Sequence, residues 1–493
     1  MDKFVQKFAT SFLSRAALVG TVAVLAAVIY IVSAYNLTGQ GYPLDDAWIH
    51  QTYARNLAEF EEWSFIPGSV SGGSTSPLWT IILSLGHTLG YPVIWTYLIG
   101  IVFFAGSAIF GMEILLRNKC STVCGILFGL FIATEWHIIW ASVSGMETIL
   151  LIFVITLFFY FLQSNKLIWM AGLLAGLAIW IRPDSVTLIG PFLWVILFSG
   201  VKNEINWKSV LIGCISFFLI LGAYLIFNHS LTGMVWPNTF YAKQAEYAEL
   251  QTTPVVIRFL KLAYLPWIGA TILLLPGLIV TIFEIIRLRK LVFLAPVLWA
   301  LGYITIFAVR LPVTYQHGRY VMPAMLMLFL ISFWGVQRLL SSIDFTIPWQ
   351  RILKRSWVLA IGIAQVFFLF LGSQSYAKDV AIINTEMVQT AHWIRENIHK
   401  DALVAAHDIG ALGYFSERVI IDLAGLISPD VIPIIRDEER LANYLTENNA
   451  DYLVIFPSWY PLLAATATPV YYSNELYGPE MGGENMFVYK WQP

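Results

Sequence analysis

An all-α polytopic membrane domain of about eleven transmembrane helices, followed by a small soluble α/β domain, is the architecture the sequence predicts. Three observations predict it. Of 493 residues, 58% are hydrophobic and only 12% charged, at a mean hydropathy of +0.70. A water-soluble chain of that length has too little interior to hide so much apolar surface. The apolar residues are gathered into runs near the roughly 20 residues needed to cross a hydrocarbon core. After about residue 375 the texture changes, because 375–493 hold 16 of the 31 acidic residues but only seven of the 29 basic ones.

The predicted spans lie near 16–36, 93–116, 121–141, 147–163, 167–182, 186–200, 208–228, 263–286, 291–309, 319–340 and 356–374. The runs 167–182 and 186–200 are short and form a pair, so together they leave the sidedness of the rest unchanged. Pro77–Leu89 is apolar but too short to cross, and reads as a helix at the outer interface within a first outer loop of 37–92. Residues 1–374 then form the membrane domain. In 375–493, Ala402–Ala406, Val419–Leu423, Tyr452–Phe456 and Met486–Trp491 read as strands, while Met387–Ile398 and Asp437–Asn448 read as amphipathic helices. Cys120, Cys124 and Cys214 all lie in or beside apolar runs, which points to neither a disulfide framework nor a thiolate metal cluster.

Charge fixes the sidedness. With the N-terminus inside, the inner loops hold Lys3, Lys7, Arg15, Arg117, Lys119, Lys166, Lys202, Lys208, Arg287, Arg289, Lys290, Arg338, Arg351, Lys354 and Arg355, against Asp2, Glu204, Glu284 and Asp344 alone. This is the positive-inside bias, and moving the parity by one span destroys it. The expected location is the cell membrane, multi-pass, with a cytoplasmic N-terminus and an extracytoplasmic 375–493 domain. The basic N-terminal region resembles a signal peptide, but the apolar run is long and no small-residue cleavage site follows, so it reads as an uncleaved anchor.

The outer loops carry the special residues. Asp45 and Asp46 are adjacent carboxylates just after the first span, where ionised groups are costly unless they face water or a partner. A helix N-cap is the structural alternative, but it needs only one Asp. Glu147 and Arg182 stand at further outer turns. Asn238, Tyr241 and Lys243 share one aromatic-rich loop, and Arg310, His317 and Arg319 share another. Arg at helix ends commonly snorkels to the interface. Taken together, Arg182, Lys243, Arg310 and Arg319 are cations at one level with three carboxylates, a set suited to transfer from an anionic, phosphate-bearing lipid. No HExxH, P-loop or GxSxG sequence is present, which removes the commonest metalloprotease, nucleotide and serine-hydrolase readings.

These motifs together resemble the GT-C class of multi-spanning glycosyltransferases, and within it the bacterial terminal arabinofuranosyltransferase- and mannosyltransferase-like branch, a resemblance that implies a hexosyl- or pentosyltransferase without fixing the sugar. The likeness lies in Asp45-Asp46-Ala47-Trp48-Ile49 with Tyr53-Ala54-Arg55-Asn56-Leu57, Thr75–Trp79, Ser144–Thr148, Arg182-Pro183-Asp184, Pro237–Lys243 and Gly318-Arg319-Tyr320. In the outer domain it continues in Asp408–Phe415 and Asp422–Leu426. The resemblance implies a polyprenyl-phosphate sugar donor, a cell-envelope glycan, lipid or protein acceptor, the bilayer as a partner, and no nucleic acid. It implies inverting transfer with an Asp general base, Asp45 by preference, and outer cations that receive the leaving phosphate. A divalent cation, Mg or Mn, stays open, with Asp46 as its ligand. The alternatives are a polysaccharide ligase and a lipid-linked sugar flippase or transporter. A transporter calls for ionisable residues mid-membrane, where the spans hold only Glu113 and Glu135.

Overall fold

The computed structural model describes residues 11–200, 205–342 and 347–492. Lys3, Lys7, Lys202, Asp2, Glu204 and Asp344 of the inner-loop charge pattern lie outside them. Among the described residues, seven helices are long and apolar enough to cross a membrane: Phe12–Thr38, Pro92–Arg117, Trp207–Thr232, Ala270–Arg287, Leu291–Arg310, Met322–Ser342 and Pro348–Asn397. An eighth is a bent pair, Thr122–Ala133 and Trp136–Val143, at 54° to each other. Glu135 sits at the bend. Its carboxylate accepts from the amide of Ile138 at 3.0 Å and pairs with His137 at 2.8 Å, so the second piece starts with a capped end. The remaining expected spans are the shorter helices Thr148–Leu162, Ile168–Ile179 and Pro183–Ser199. At 1.5 Å per residue, the first of these reaches only about 22 Å. It is buried along nearly its whole length, so it is the centre of the bundle and not a lipid-facing wall.

The segment 77–89, expected in an outer loop, is the helix Pro77–Thr88, opened by Pro77, whose missing N–H costs nothing in a first turn. Before it come the helix Asp46–Phe60 and a small hairpin of β1 (Ser64–Ile66) and β2 (Ser69–Val70).

The C-terminal part is a mixed five-stranded sheet of β3 (Leu403–Ala406), β4 (Val419–Asp422), β5 (Tyr452–Ile455), β6 (Thr468–Tyr472) and β7 (Phe487–Lys490), in the order β4-β3-β5-β7-β6. β4, β3 and β5 are parallel, while β7 runs against them and pairs antiparallel with both β5 and the edge strand β6. Side chains alternate across it. Val404, Ala406 and Val454 join the core that continues into the helical bundle, whereas Ala405, Leu453 and Ile455 join a second core under the helix Glu438–Glu447. The sheet is therefore docked on the bundle by one whole face.

Two features differ from the sequence reading. The last span passes position 375 without a break, because Pro348–Ile382 continues through a π-helical turn, Ile383–Val388, into Gln389–Asn397. Buried Glu386 in that turn accepts from Met486 N at 2.9 Å and Asn485 Nδ2 at 3.1 Å, and from the Ser473 hydroxyl, which ties the antiparallel edge of the sheet to the helix. Cys120 and Cys124, read as belonging to no disulfide framework, are bonded to each other. Cys120 lies just before the N-cap Ser121 and Cys124 in the first turn of Thr122–Ala133, with Cα atoms 6.2 Å apart, within the span of a disulfide.

Candidate active site

Seven of the ten sequence-predicted residues converge where the loops expected to face outward meet the C-terminal sheet. Local sequence explains how each gets there. Arg182 precedes Pro183, and the residue before a proline is held out of the helical region, so Arg182 turns extended (φ −152°, ψ 131°) at the end of Ile168–Ile179. Lys243 lies on the helix Asn238–Glu246, which starts directly after Pro237. Arg319 follows three left-handed residues, Gln316 (φ 54°), His317 (φ 55°) and Gly318 (φ 71°). Only glycine adopts that conformation without strain, so the loop holds about 1–2 kcal/mol at each of the first two. The surrounding packing must impose this path, and it delivers Arg319 into the site.

The centre is Asp46. Its Oδ2 is 3.0 Å from Lys243 Nζ and 2.5 Å from Arg319 Nη2, and both cations also reach the Tyr320 hydroxyl, at 3.3 and 3.0 Å. Burial opposes ionisation of Asp46, but Lys243 and Arg319 outweigh it and hold the carboxyl well below its ordinary range. Arg319 is only 6% exposed, so it is not a snorkelling anchor. Its Nε and Nη1 are buried without a hydrogen-bond partner. Buried polar groups are almost always satisfied, so two vacant guanidinium donors mark a place for an incoming acceptor atom.

Two cavities meet at this centre. The first, of about 430 Å³, is lined by Asp46, Glu147, Arg182, Lys243, Arg310 and Arg319 on its polar side, and by Trp236, Phe240, Ile306, Phe307 and Leu311 on its apolar side. Arg182 pairs with Asp184 at 3.1 Å and approaches Glu147 at 3.9 Å; Glu147 also approaches His50 at 3.5 Å. Arg310 stands at the rim, exposed, bonded to Gln244 at 2.9 Å and stacked on Phe240. The second cavity, of about 760 Å³, lies between the loops of the helical domain and the C-terminal sheet and shares Asp46, Lys243 and Arg319 with the first.

Asp45 opens only on the second cavity. It occupies the N-cap position of Asp46–Phe60 but makes no side-chain cap bond, because its backbone is already helical (φ −62°, ψ −38°). Its carboxylate turns instead to the C-terminal domain and accepts from the amides of Gly410 and Ala411, each at 2.7 Å. Burial and the nearby Asp408 carboxylate push Asp45 up to about 8, against the pull of those two amides. The two motifs pack together around this contact. Trp48 lies against Tyr414 and Phe415, and Arg55 donates to the Tyr414 carbonyl at 2.8 Å with its guanidinium over the Tyr414 ring. A side chain at Gly410 collides with the Asp45 carbonyl. Gly410→Ala is therefore expected to lower stability by about 1–3 kcal/mol, the usual cost of overpacking, and to loosen the sheet from the bundle. Thermal unfolding and limited proteolysis between 398 and 420 measure it; an unchanged melting temperature contradicts the contact.

Three predicted residues stand outside both cavities. His317 bonds to Asp379 on the last long helix at 2.7 Å, beside Trp136 and Trp140. Asn238 is buried next to Gly72, and Tyr241 packs its ring edge on Phe240. Sequence reasoning assigned no role to His407, Asp408, Glu246, Trp459 or Tyr460, all of which line the second cavity. The signal was available: β3 was legible, and His407 and Asp408 directly follow it. As for Mg or Mn, Asp46 Oδ2 is already shared by two cations, and among the described residues no three His, Cys, Asp or Glu side chains converge as a cage. That donor set does not fit a divalent cation, and no step is routed through one.

Among solved structures, ArnT from Cupriavidus metallidurans bound to undecaprenyl phosphate aligns over 96% of this chain and 98% of its own, at TM-score 0.64 and 14% identity. Its apo form aligns at TM-score 0.59 and 14% identity, over 96% of this chain and 97% of that one. The apo oligosaccharyltransferase of Archaeoglobus fulgidus aligns at TM-score 0.59 and 11% identity, over 92% of this chain and 73% of that one. The chain has the GT-C fold. Residues 376–489 match a family described as a domain of unknown function, DUF8728. No curated protein matches the sequence.

Proposed function

We propose that this GT-C-fold chain transfers a sugar from a polyprenyl-phosphate donor to a hydroxyl acceptor at the outer face of the cell membrane. The observation that carries the reading is the first cavity. An apolar wall suited to a prenyl chain runs up to Arg319, whose two free donors sit beside Lys243 and Asp46. The undecaprenyl phosphate bound in the ArnT structure supports a lipid phosphate in the same fold.

The chemistry follows from the charges. The acceptor hydroxyl enters from the second cavity and gives its proton to Asp45 as its oxygen bonds to the anomeric carbon. The bond from that carbon to the phosphate oxygen breaks with its electron pair, and polyprenyl phosphate leaves. Attack and departure on opposite faces invert the anomeric centre. A phosphate needs no acid to leave, only cations to receive its charge, and Arg319 and Lys243 supply them. Asp46 keeps both cations in place; its very low proton affinity suits it to that part, while a raised Asp45 suits the base.

A base must be ionised to act. With the Asp45 midpoint near 8, kcat/KM is expected to rise about tenfold per pH unit below that value and to level above it. Removing the neighbouring charge in Asp408→Asn takes away one cause of the elevation, so the midpoint moves down. A flat profile from pH 6 to 9, or an upward move in Asp408→Asn, contradicts the assignment. Sidedness is tested separately: reporter fusions at Lys290 and Asp401 are expected to report inside and outside, and equal signals contradict the topology. Binding of undecaprenyl phosphate to the purified chain, followed by tryptophan fluorescence, tests the donor site; absence of saturable binding contradicts it.

A further inference from the structure

We infer that the second cavity seats the acceptor, and that the acceptor group it takes is an uncharged sugar ring and not a phosphate-bearing one. The inference rests on the donor reading above, which assigns the first cavity to the lipid phosphate.

Two independent features make the second cavity a ligand site. It shares Asp46, Lys243 and Arg319 with the first cavity, so what it holds lies beside the same centre. Its outer wall is built at the carboxyl ends of the three parallel strands. His407 and Asp408 follow β3, Ala424 and Leu426 follow β4, and Trp459 and Tyr460 follow β5. In open α/β sheets, ligands bind in the crevice at those strand ends.

The chemistry of the wall selects the ligand. With the donor bound, the cations lining it are engaged: Lys243 with Asp46, Arg319 with Asp46 through Nη2 and with the donor phosphate through Nε and Nη1, and Arg436 with Glu249 at 3.0 Å. His407 is held between Glu246, 3.4 Å from its Nε2, and the Tyr460 hydroxyl, 2.7 Å from its Nδ1. The carboxylates are not all engaged. Asp408 Oδ2 is buried without a hydrogen-bond partner, next to Asp45. Carboxylate oxygens accept from hydroxyls and repel phosphate. Trp459 stands at the mouth with 52% of its surface exposed, edge-on to His407, and offers a face for the C–H side of a sugar ring. With the donor phosphate on Arg319, a phosphorylated acceptor entering here meets the Asp408 carboxylate and cations already paired, while a neutral ring finds an acceptor oxygen and an aromatic platform.

Saturation-transfer NMR on the full chain in detergent, saturated with undecaprenyl phosphate, tests this with neutral methyl glycosides and disaccharides against the corresponding sugar 6-phosphates. At least one neutral sugar is expected to bind, with the phosphates tenfold or more weaker. Asp408→Asn and Trp459→Ala are each expected to weaken the neutral ligand tenfold or more, with undecaprenyl phosphate binding unchanged as the sign of an intact fold. Equal or tighter binding of the phosphates, no neutral binding, or neutral binding untouched by both variants overturns the inference. Failure of the parent to bind undecaprenyl phosphate counts against the donor reading instead, and leaves the sugar comparison to decide the second cavity by itself.

Discussion

Asp45→Asn is expected to lower transfer about 100- to 10,000-fold, the cost of losing a general base, while undecaprenyl phosphate still binds. The substitution keeps the shape of the side chain but gives up the ionised oxygen that takes the acceptor proton. It also gives up one of two acceptors, because an amide has a single carbonyl oxygen to meet the Gly410 and Ala411 amides. One of those buried N–H groups is left unsatisfied, at about 1–3 kcal/mol, so the variant also docks its sheet less tightly. Gly410→Ala separates the two effects, since it disturbs the same contact with the carboxylate chemically intact. If Asp45→Asn turns over within a few-fold of the parent, Asp45 is a strut between domains and the base lies elsewhere.

Arg319→Lys is expected to weaken undecaprenyl phosphate binding roughly 10- to 100-fold, because charged hydrogen bonds of about 1.5–3 kcal/mol disappear with the guanidinium fork. Arg319 already serves Asp46 and Tyr320 through Nη2 and keeps Nε and Nη1 in reserve. A lysine ammonium keeps the charge and not the fork, so it serves Asp46 or a phosphate oxygen but not both in the same geometry. Insertion and expression are expected to be unchanged. Equal affinity in the lysine variant contradicts the phosphate site and returns Arg319 to a purely electrostatic part.

How much of this was legible in the sequence depends on the range of the interaction. The long spans are written in local hydropathy, and so are Pro77 and Pro183, whose geometry acts on the next turn. Asp45-Asp46 is conspicuous for the same reason: two charges beside a span. The partners of Asp46 are not local. Lys243 and Arg319 lie 197 and 273 residues away, and no period or spacing reports that they meet. The shared outer level brought them onto one list, yet the same list held His317, which the left-handed loop turns to Asp379. The short central helix Thr148–Leu162 was read by its apolar run alone; its burial by other helices is a tertiary fact.

The C-terminal half of the site was hidden differently. Four of the five strands were readable from β-branched runs, while β6, Thr468–Tyr472, carries Pro469 and sits at the edge. Strand direction was not readable, and direction is what turns His407, Asp408, Trp459 and Tyr460 from loop residues into one wall. Asp45 was expected as a base or a cap. Its tie to Gly410 and Ala411 shows that it also joins the two halves of the molecule, which gives the sheet a part in orienting the proposed base.

The most direct measurement of the central claim is transfer by the purified full chain in detergent, supplied in turn with polyprenyl-phosphate sugars and with the matching nucleotide sugars, and with a cell-envelope glycan extract as acceptor. Labelled glycan, inverted at the anomeric carbon, and released polyprenyl phosphate are expected from at least one lipid-phosphate sugar, and none from any nucleotide sugar. Transfer from a nucleotide sugar without lipid, or retention of configuration, contradicts the claim.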